Sequence, residues 1–503
     1  MKIRTGEFVP CPIYKENTMK NLALIAILCL GVLALAATNV SGSHTGTWPL
    51  SLSPFNIIGD VTIPVGGNLT IEPGVQIFAM GNYRITAAGT LTAEGTEADS
   101  IRFLNGQASP TALWGGIRLE NTTQGSSIQH CYIENATYGI NSINSPAIIK
   151  FNRFNKNQYG MQAYGIGNAA PPTVVIRQNL IEQSIRSGIY VVEQSNADIA
   201  FNEIRFNGTG TQYYGAIQLS NQSGSGHCSP TIANNHIHHN NKQGITAWDL
   251  MSVSAIQPQI LNNNIENNLT GVYLLNSSGY VADNYIRNNY ITGNANSGAG
   301  VMVAGATSAP YFERNDVYGN YTGFYLGTNA QPCLGDLAST DNRAQGGNRI
   351  YNNIDGSSIL HSVYCYSYTN AAIVIKAENN YWGTNDASEI PLGIQDHFDD
   401  PALATVDFDP FVGANPAIPQ NFSIVRGDGA LILDWEAVTA DEFGHPLNVD
   451  SYNVYAGFTP DFACTPDALY ATVSDTGLDI QEASGTTQRM FFRVTANTGT
   501  TGF

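Results

Sequence analysis

The chain has 503 residues, room for more than one domain, and its 43% hydrophobic and 10% aromatic content excludes a disordered polymer. Only 12% of residues are charged while 50 are Gly, which suits short strands and turns and argues against a largely helical protein. The net charge of −18 argues against nucleic acid and anionic membrane as partners, because phosphate binding needs clustered Lys and Arg. A polyanionic substrate is also disfavoured unless Ca²⁺ bridges it or basic residues cluster locally.

Taken in order, Met19-Lys20-Asn21 and the apolar run Leu22 to Ala36 read as a secretory signal peptide, with Ala34 and Ala36 at the cleavage site. Residues 1–18 form an extension upstream of a start at Met19, and the mature chain is expected from about residue 37 without a membrane span. Cys29 lacks small residues immediately before it and is a poor lipid-attachment site. Residues 37–54 are a polar lead-in. Ile57 to Phe103 gives short strands broken by Gly, expected to cap the open N-terminal end of a strand coil, since a bare sheet edge invites aggregation.

From about Ile128 to Phe324 one pattern recurs: an apolar residue, an Asn three later and an apolar residue two further. Ile149/Asn152/Phe154, Ile176/Asn179/Ile181, Ile199/Asn202/Ile204, Ile232/Asn235/Ile237, Ile260/Asn263/Ile265, Val281/Asn284/Ile286 and Phe312/Asn315/Val317 all fit it. A second Asn follows five residues after the first in most copies, with Ser184 as the exception. Then comes Gly plus an apolar residue, as in Gly160-Met161 and Gly244-Ile245. Intervals range from 284 − 263 = 21 to 235 − 202 = 33, which helical repeats tolerate poorly. A solenoid with three strands per turn absorbs the variation in its loops. The repeated Asn then forms a structural ladder whose amides bond the rungs above and below.

The repeat resembles the parallel β-helices of the pectin-lyase-like superfamily, among them its carbohydrate-binding and sugar-hydrolase repeat proteins. The opening GDVTIPVGGNLTIEPGVQIFAMG from Gly59, LWGGIRLE from Leu113 and the closing NNYWGT from Asn379 carry the same resemblance, over residues 55–412. It implies a right-handed coil and says little about activity. After a linker at 413–419, the strands ALILDWEAV, SYNVYAGF and MFFRVTAN within 420–503 resemble a fibronectin type III domain. The expected fold class is all-β: a right-handed parallel β-helix solenoid followed by a small β-sandwich. The sequence runs out at the last expected strand, and no further surface-sorting domain is expected.

The segment that opens with Gly and an apolar residue makes one continuous face. Strand alternation sends Arg118, Asn141, Gln162, Tyr190, Gln218, Thr246, Tyr273, Met302 and Tyr325 outward in a column. Long insertions follow this face at 164–172, 221–230, 248–258 and 327–347, as loops that frame a binding surface do. Tyr190, Gln218, Trp248, Tyr273 and Tyr325 are the candidate glycan-binding residues, the rings as a platform for apolar sugar faces. Just past the column, Glu193 and Asp249 fall two rungs apart, about 9.6 Å, near the upper end for an inverting glycosidase; solvated loop-edge carboxylates are the alternative.

His236 and His238 point outward on another face beside His239, without a third metal ligand. Cys131 takes a ladder position and reads as a buried free thiol, whereas Cys333 and Cys365 flank a loop-rich stretch and could pair. No structural metal or cofactor is expected, with Ca²⁺ left open. The leading reading is a secreted or cell-surface protein that binds a polysaccharide or cell-surface glycan or mediates adhesion. Alternatives are a polysaccharide lyase or glycoside hydrolase working along the same face, and a structural envelope protein.

Overall fold

The computed structural model describes residues 37–498 except 166–169, 195, 213, 223–227, 254–255, 291–297, 355–360, 428–429, 443–446 and 482–488. The signal-peptide expectation lies outside the described residues. From Thr38 to Asp407 the chain is an all-β coil of short strands, each paired in parallel with its counterpart one turn away. Three strands make a turn, for example Tyr138–Ile143, Ala147–Lys150 and Arg153–Asn155. Each contributes one or two inward side chains, and these line up by rung. Ile199, Ile232, Ile260, Val281 and Phe312 form one inner column, and Ile204, Ile237, Ile265, Ile286 and Val317 a second. All ten are fully buried, at about 1.5–3 kcal/mol of hydrophobic stabilisation each.

Corners arise from local chemistry. The residue before each ladder Asn is left-handed, as at Asn234 (φ 56) and Asn262 (φ 54), and this swings the chain into the next strand. The ladder Asn itself points inward. Asn235 shows the pattern. Its Oδ1 accepts from the backbone N–H and the side-chain amide of Asn202 at 3.0 and 2.9 Å, and its Nδ2 donates to Asn263 Oδ1 at 3.0 Å and Ile199 O at 2.9 Å. The same bonds join Asn152, Asn179, Asn202, Asn235, Asn263, Asn284 and Asn315, and continue through Asn348 to Asn380. There the last amide closes on the carbonyls of Leu334, Ala377 and Glu378. A second ladder runs from Asn207 through Asn240, Asn268, Asn289 and Asn320 to Asn353.

Three expectations change. Residues 38–48 are more than a lead-in: Thr38–Ser43 and Gly46–Trp48 pair in parallel with Phe55–Ile63 and Asn68–Ile71 as the first rung. Likewise, the strands between Ile57 and Phe103 are ordinary rungs, not a separate cap. The stretch from Gly327 to Gly347 does not interrupt the coil, because Cys333 bridges Tyr311 and Gly335 bridges Ala377, so it supplies the missing strand position.

This geometry also overturns the Cys333–Cys365 disulfide. Cys365 is buried on the strand Val363–Tyr366 opposite Leu326, whereas Cys333 lies on a different face of the coil, and both are free thiols. Cys131 is a buried free thiol at the ladder position, its N–H donating to Asn152 Oδ1 at 2.8 Å. Burial pushes the Cys228 and Cys365 thiols up to about 12.

Two small antiparallel sheets complete the described chain. Ser423–Arg426, Ala430–Asp434 and Gly477–Gln481 form one, and Leu469–Val473, Ser451–Gly457 and Phe491–Asn497 the other. They sandwich Leu433, Trp435, Tyr452, Val454 and Ile480. Arg349 of the coil reaches this unit, 3.1 Å from Glu442.

Two outcomes are expected. Asn235→Ala removes the ladder amide and strands several buried donors and acceptors, so chemical denaturation should show a loss of about 3 kcal/mol. Asn234→Ala, exposed and left-handed, should cost only about 1 kcal/mol. Thiol labelling of the native protein should modify exposed Cys464 rapidly and leave Cys131, Cys228 and Cys365 untouched until unfolding; protection of Cys464 by a disulfide would contradict this.

Candidate functional site

Pairing between successive strands places Arg118, Asn141, Gln162, Tyr190, Gln218, Thr246, Tyr273, Met302 and Tyr325 in one line, continued by Tyr364. Their immediate neighbours, such as Ile189 and Val191 or Val272 and Leu274, point inward and are fully buried. The column therefore faces out, on rungs about 4.8 Å apart.

Its chemistry divides into zones. Arg118 is held by Glu120 at 2.6 Å. Gln218 is buried and serves the backbone, accepting from the Gly215 N–H at 3.1 Å and donating to the Leu219 carbonyl at 3.1 Å. Thr246 is buried beside it. The tyrosines gather on either side of these two. Tyr190 stacks on Tyr159 (5.4 Å), which stacks on Tyr138 (5.0 Å). Tyr325 stacks on Tyr366 (4.2 Å) and Tyr364 (5.3 Å). Rings at rung spacing cover one another's faces, so the groups present mainly edges and hydroxyls. Trp248, 39% exposed, stands one column over, paired with Ser220 and Leu275. Tyr273, paired with Thr246 and Met302, is half-buried between the two tyrosine groups.

Tyr138, Tyr159, Tyr214, Tyr364 and Tyr366 are absent from the sequence-based candidates. Three of them carry a signal, the Tyr-Gly pair at Tyr138-Gly139, Tyr159-Gly160 and Tyr214-Gly215. Gly is required at this corner because the rungs approach closely. A Cβ on Gly139 would lie 2.3 Å from the Gly160 carbonyl oxygen, and one on Gly160 would lie 2.4 Å from that of Gly188. The Tyr before it lies outside the core, half-buried at Tyr138 and Tyr214 and covered by its neighbours at Tyr159.

Glu193 and Asp249 occupy one column with Asn221 between them, two rungs apart. Both are buried, at 2% and 0% exposure. Glu193 sits at a left-handed corner (φ 50) and accepts from the Gln222 N–H at 3.0 Å. Asp249 accepts from the Met251 N–H at 2.9 Å and the Asn221 amide at 3.2 Å. Neither is the solvated loop-edge carboxylate of the alternative reading; the bonds they make hold the loops that leave this face.

His236 and His238 lie on another face, in a charged lattice. Their rings stack at 4.0 Å, His236 Nε2 lies 2.8 Å from Glu266 Oε1, and Arg287 Nε lies 2.9 Å from Glu266 Oε2. Burial alone would raise the Glu266 carboxyl, but the His236 bond and the Arg287 charge hold it below its ordinary value. His238 is shifted down by burial and by the neighbouring His236 charge. Among the described residues no cluster of three or more His, Cys, Asp or Glu is arranged to hold a metal. No helix there is long and apolar enough to cross a membrane.

If Asp249 anchors its loop, Asp249→Ala should lower stability by about 2 kcal/mol, while Asp249→Asn, which keeps the accepting oxygen, should lose less than about 1 kcal/mol in thermal denaturation. Equal losses would contradict the anchoring role.

Residues 115–281 match the family model described as right handed beta helix region. No curated protein matches the sequence. Solved structures similar to this chain include the periplasmic alginate epimerase AlgG, at 14% identity over 70% of this chain and 76% of that one, with a TM-score of 0.23. The Dettilon tailspike protein gp208 matches at 12% identity over 88% and 87%, TM-score 0.40, and XylC in complex with xylose at 12% over 83% and 68%, TM-score 0.28. At such identity the likeness concerns fold alone. With its parallel rungs and the matched family region, the chain is a right-handed β-helix protein.

Proposed function

We propose that the protein binds a polysaccharide or cell-surface glycan along the face carrying Tyr190, Gln218, Trp248, Tyr273 and Tyr325. One observation carries this reading: tyrosines collect in rung register along one outward line of strands, with Trp248 exposed beside them. A regular polymer meets a regular array, with tyrosine hydroxyls and ring edges as hydrogen-bonding and apolar contacts, and Trp248 as an exposed ring face for stacking. The expected signal peptide would place this surface outside the cell. The C-terminal sandwich, fibronectin type III-like in its strand sequences, would act as spacer or secondary contact.

Burial of Glu193 and Asp249 favours binding over hydrolysis, since a general acid must reach the glycosidic oxygen.

The test is affinity electrophoresis of residues 37–503 through a panel of plant, algal and bacterial polysaccharides, with reducing ends and unsaturated products followed with and without Ca²⁺. Retention without product is the expected outcome, with Tyr190→Ala and Tyr325→Ala each weakening it about tenfold, near 1.4 kcal/mol. Released product would replace binding by catalysis, and no retention on any glycan would remove the reading.

A further inference from the structure

Within the N-terminal tyrosine group lies a cation that the column reading leaves out. Arg186 stands at the start of the outward-facing segment, one rung beyond Tyr159 and one before Tyr214. Its Nη1 donates to Tyr159 Oη at 2.7 Å, and its Cζ lies 5.4 Å from the centroids of both the Tyr159 and Tyr214 rings. Tyr159 is itself fixed, stacked between Tyr138 and Tyr190 and edge-on to Tyr214 at 6.3 Å.

Most other arginines of the coil are neutralised; among the described residues Arg84 and Arg102, near the N-terminal end, lie without an ion pair, Arg102 over the Tyr132 ring at 5.1 Å. Arg153, Arg177, Arg205, Arg287 and Arg314 each lie within ion-pair distance of a carboxylate. Among the described residues Arg186 has no such partner, although the chain carries 40 Asp and Glu against 22 Lys and Arg. A guanidinium has five N–H donors. Tyr159 takes one, and the group is only half-buried, so the remaining donors open onto the proposed binding face. Aromatic rings above and beside the fork hold it in one orientation, so little further rotamer freedom is lost when it grips a planar or tetrahedral oxyanion.

We propose that Arg186, framed by Tyr159 and Tyr214, is an oxyanion subsite of this face and selects a glycan bearing acidic groups, either a uronate carboxylate or a sulfate ester. This rests on the glycan-binding reading and narrows it. It also locates where an acidic chain could hold an acidic polymer despite its net charge of −18: at a local cation cradled by neutral rings.

The experiment compares retention on four polymers: polygalacturonate, its carboxyl-reduced form, κ-carrageenan and desulfated κ-carrageenan. Wild-type protein should be retained at least about tenfold more strongly by an acidic polymer than by its neutral counterpart. Preference within the first pair assigns a carboxylate and within the second a sulfate ester. Arg186→Met should abolish that preference while keeping weak retention on the neutral forms, and Tyr159→Phe, which frees the fork, should reduce it partway; circular dichroism melts establish that both variants fold. Equal retention on acidic and neutral forms, or an unchanged preference in Arg186→Met, overturns this subsite and leaves the glycan reading standing. No retention on any of the four overturns this subsite, and no retention on the wider panel as well overturns the glycan reading.

Discussion

Buried amide ladders are the constraint on which the rest depends. A β-helix turns three corners per rung, and each corner takes backbone N–H and C=O groups out of the sheets without returning them to water. The inward Asn answers this demand, since one amide can accept from the rung on one side and donate to the rung on the other. Because each ladder Asn is buried, a wrong residue leaves several polar groups stranded at once. The exceptions obey the same logic: at Cys131 the rung can do without an amide because its N–H is satisfied by Asn152, and at Asn380 the ladder ends on backbone carbonyls.

With corners fixed, everything outside becomes periodic. Outward residues repeat at rung spacing, so like groups stack: tyrosines in two groups along one face, and on another an alternation of Arg, Glu and His that ends in the Tyr318–Tyr351 stack. The charged face spends its charges on itself, Glu182 lying between Arg153 and Arg205. The N-terminal tyrosine group does not, and its cation Arg186 is held by rings.

Much of this was legible in the residues. The interval of three between apolar residue and Asn is set by strand length and corner geometry, both local, so both ladders and the outward column could be placed to the residue. Less legible were Asn348 and Asn353, because the long stretch from Gly327 hides their rung, and the strand role of Cys333–Gly335, which lacks the alternating pattern.

By itself, then, the sequence determined the coil, its register and which side chains point outward, since each arises from contacts within a rung or between successive repeats. Tertiary structure alone decided what those side chains can do. Exposure depends on loops and on rings one rung away, which is why Gln218 turned to the backbone, Glu193 and Asp249 sank into corners, and Tyr159 lost its faces to Tyr138 and Tyr190. Cys333 and Cys365 were separated the same way, by a rung geometry that puts residues near in sequence on different faces of the coil.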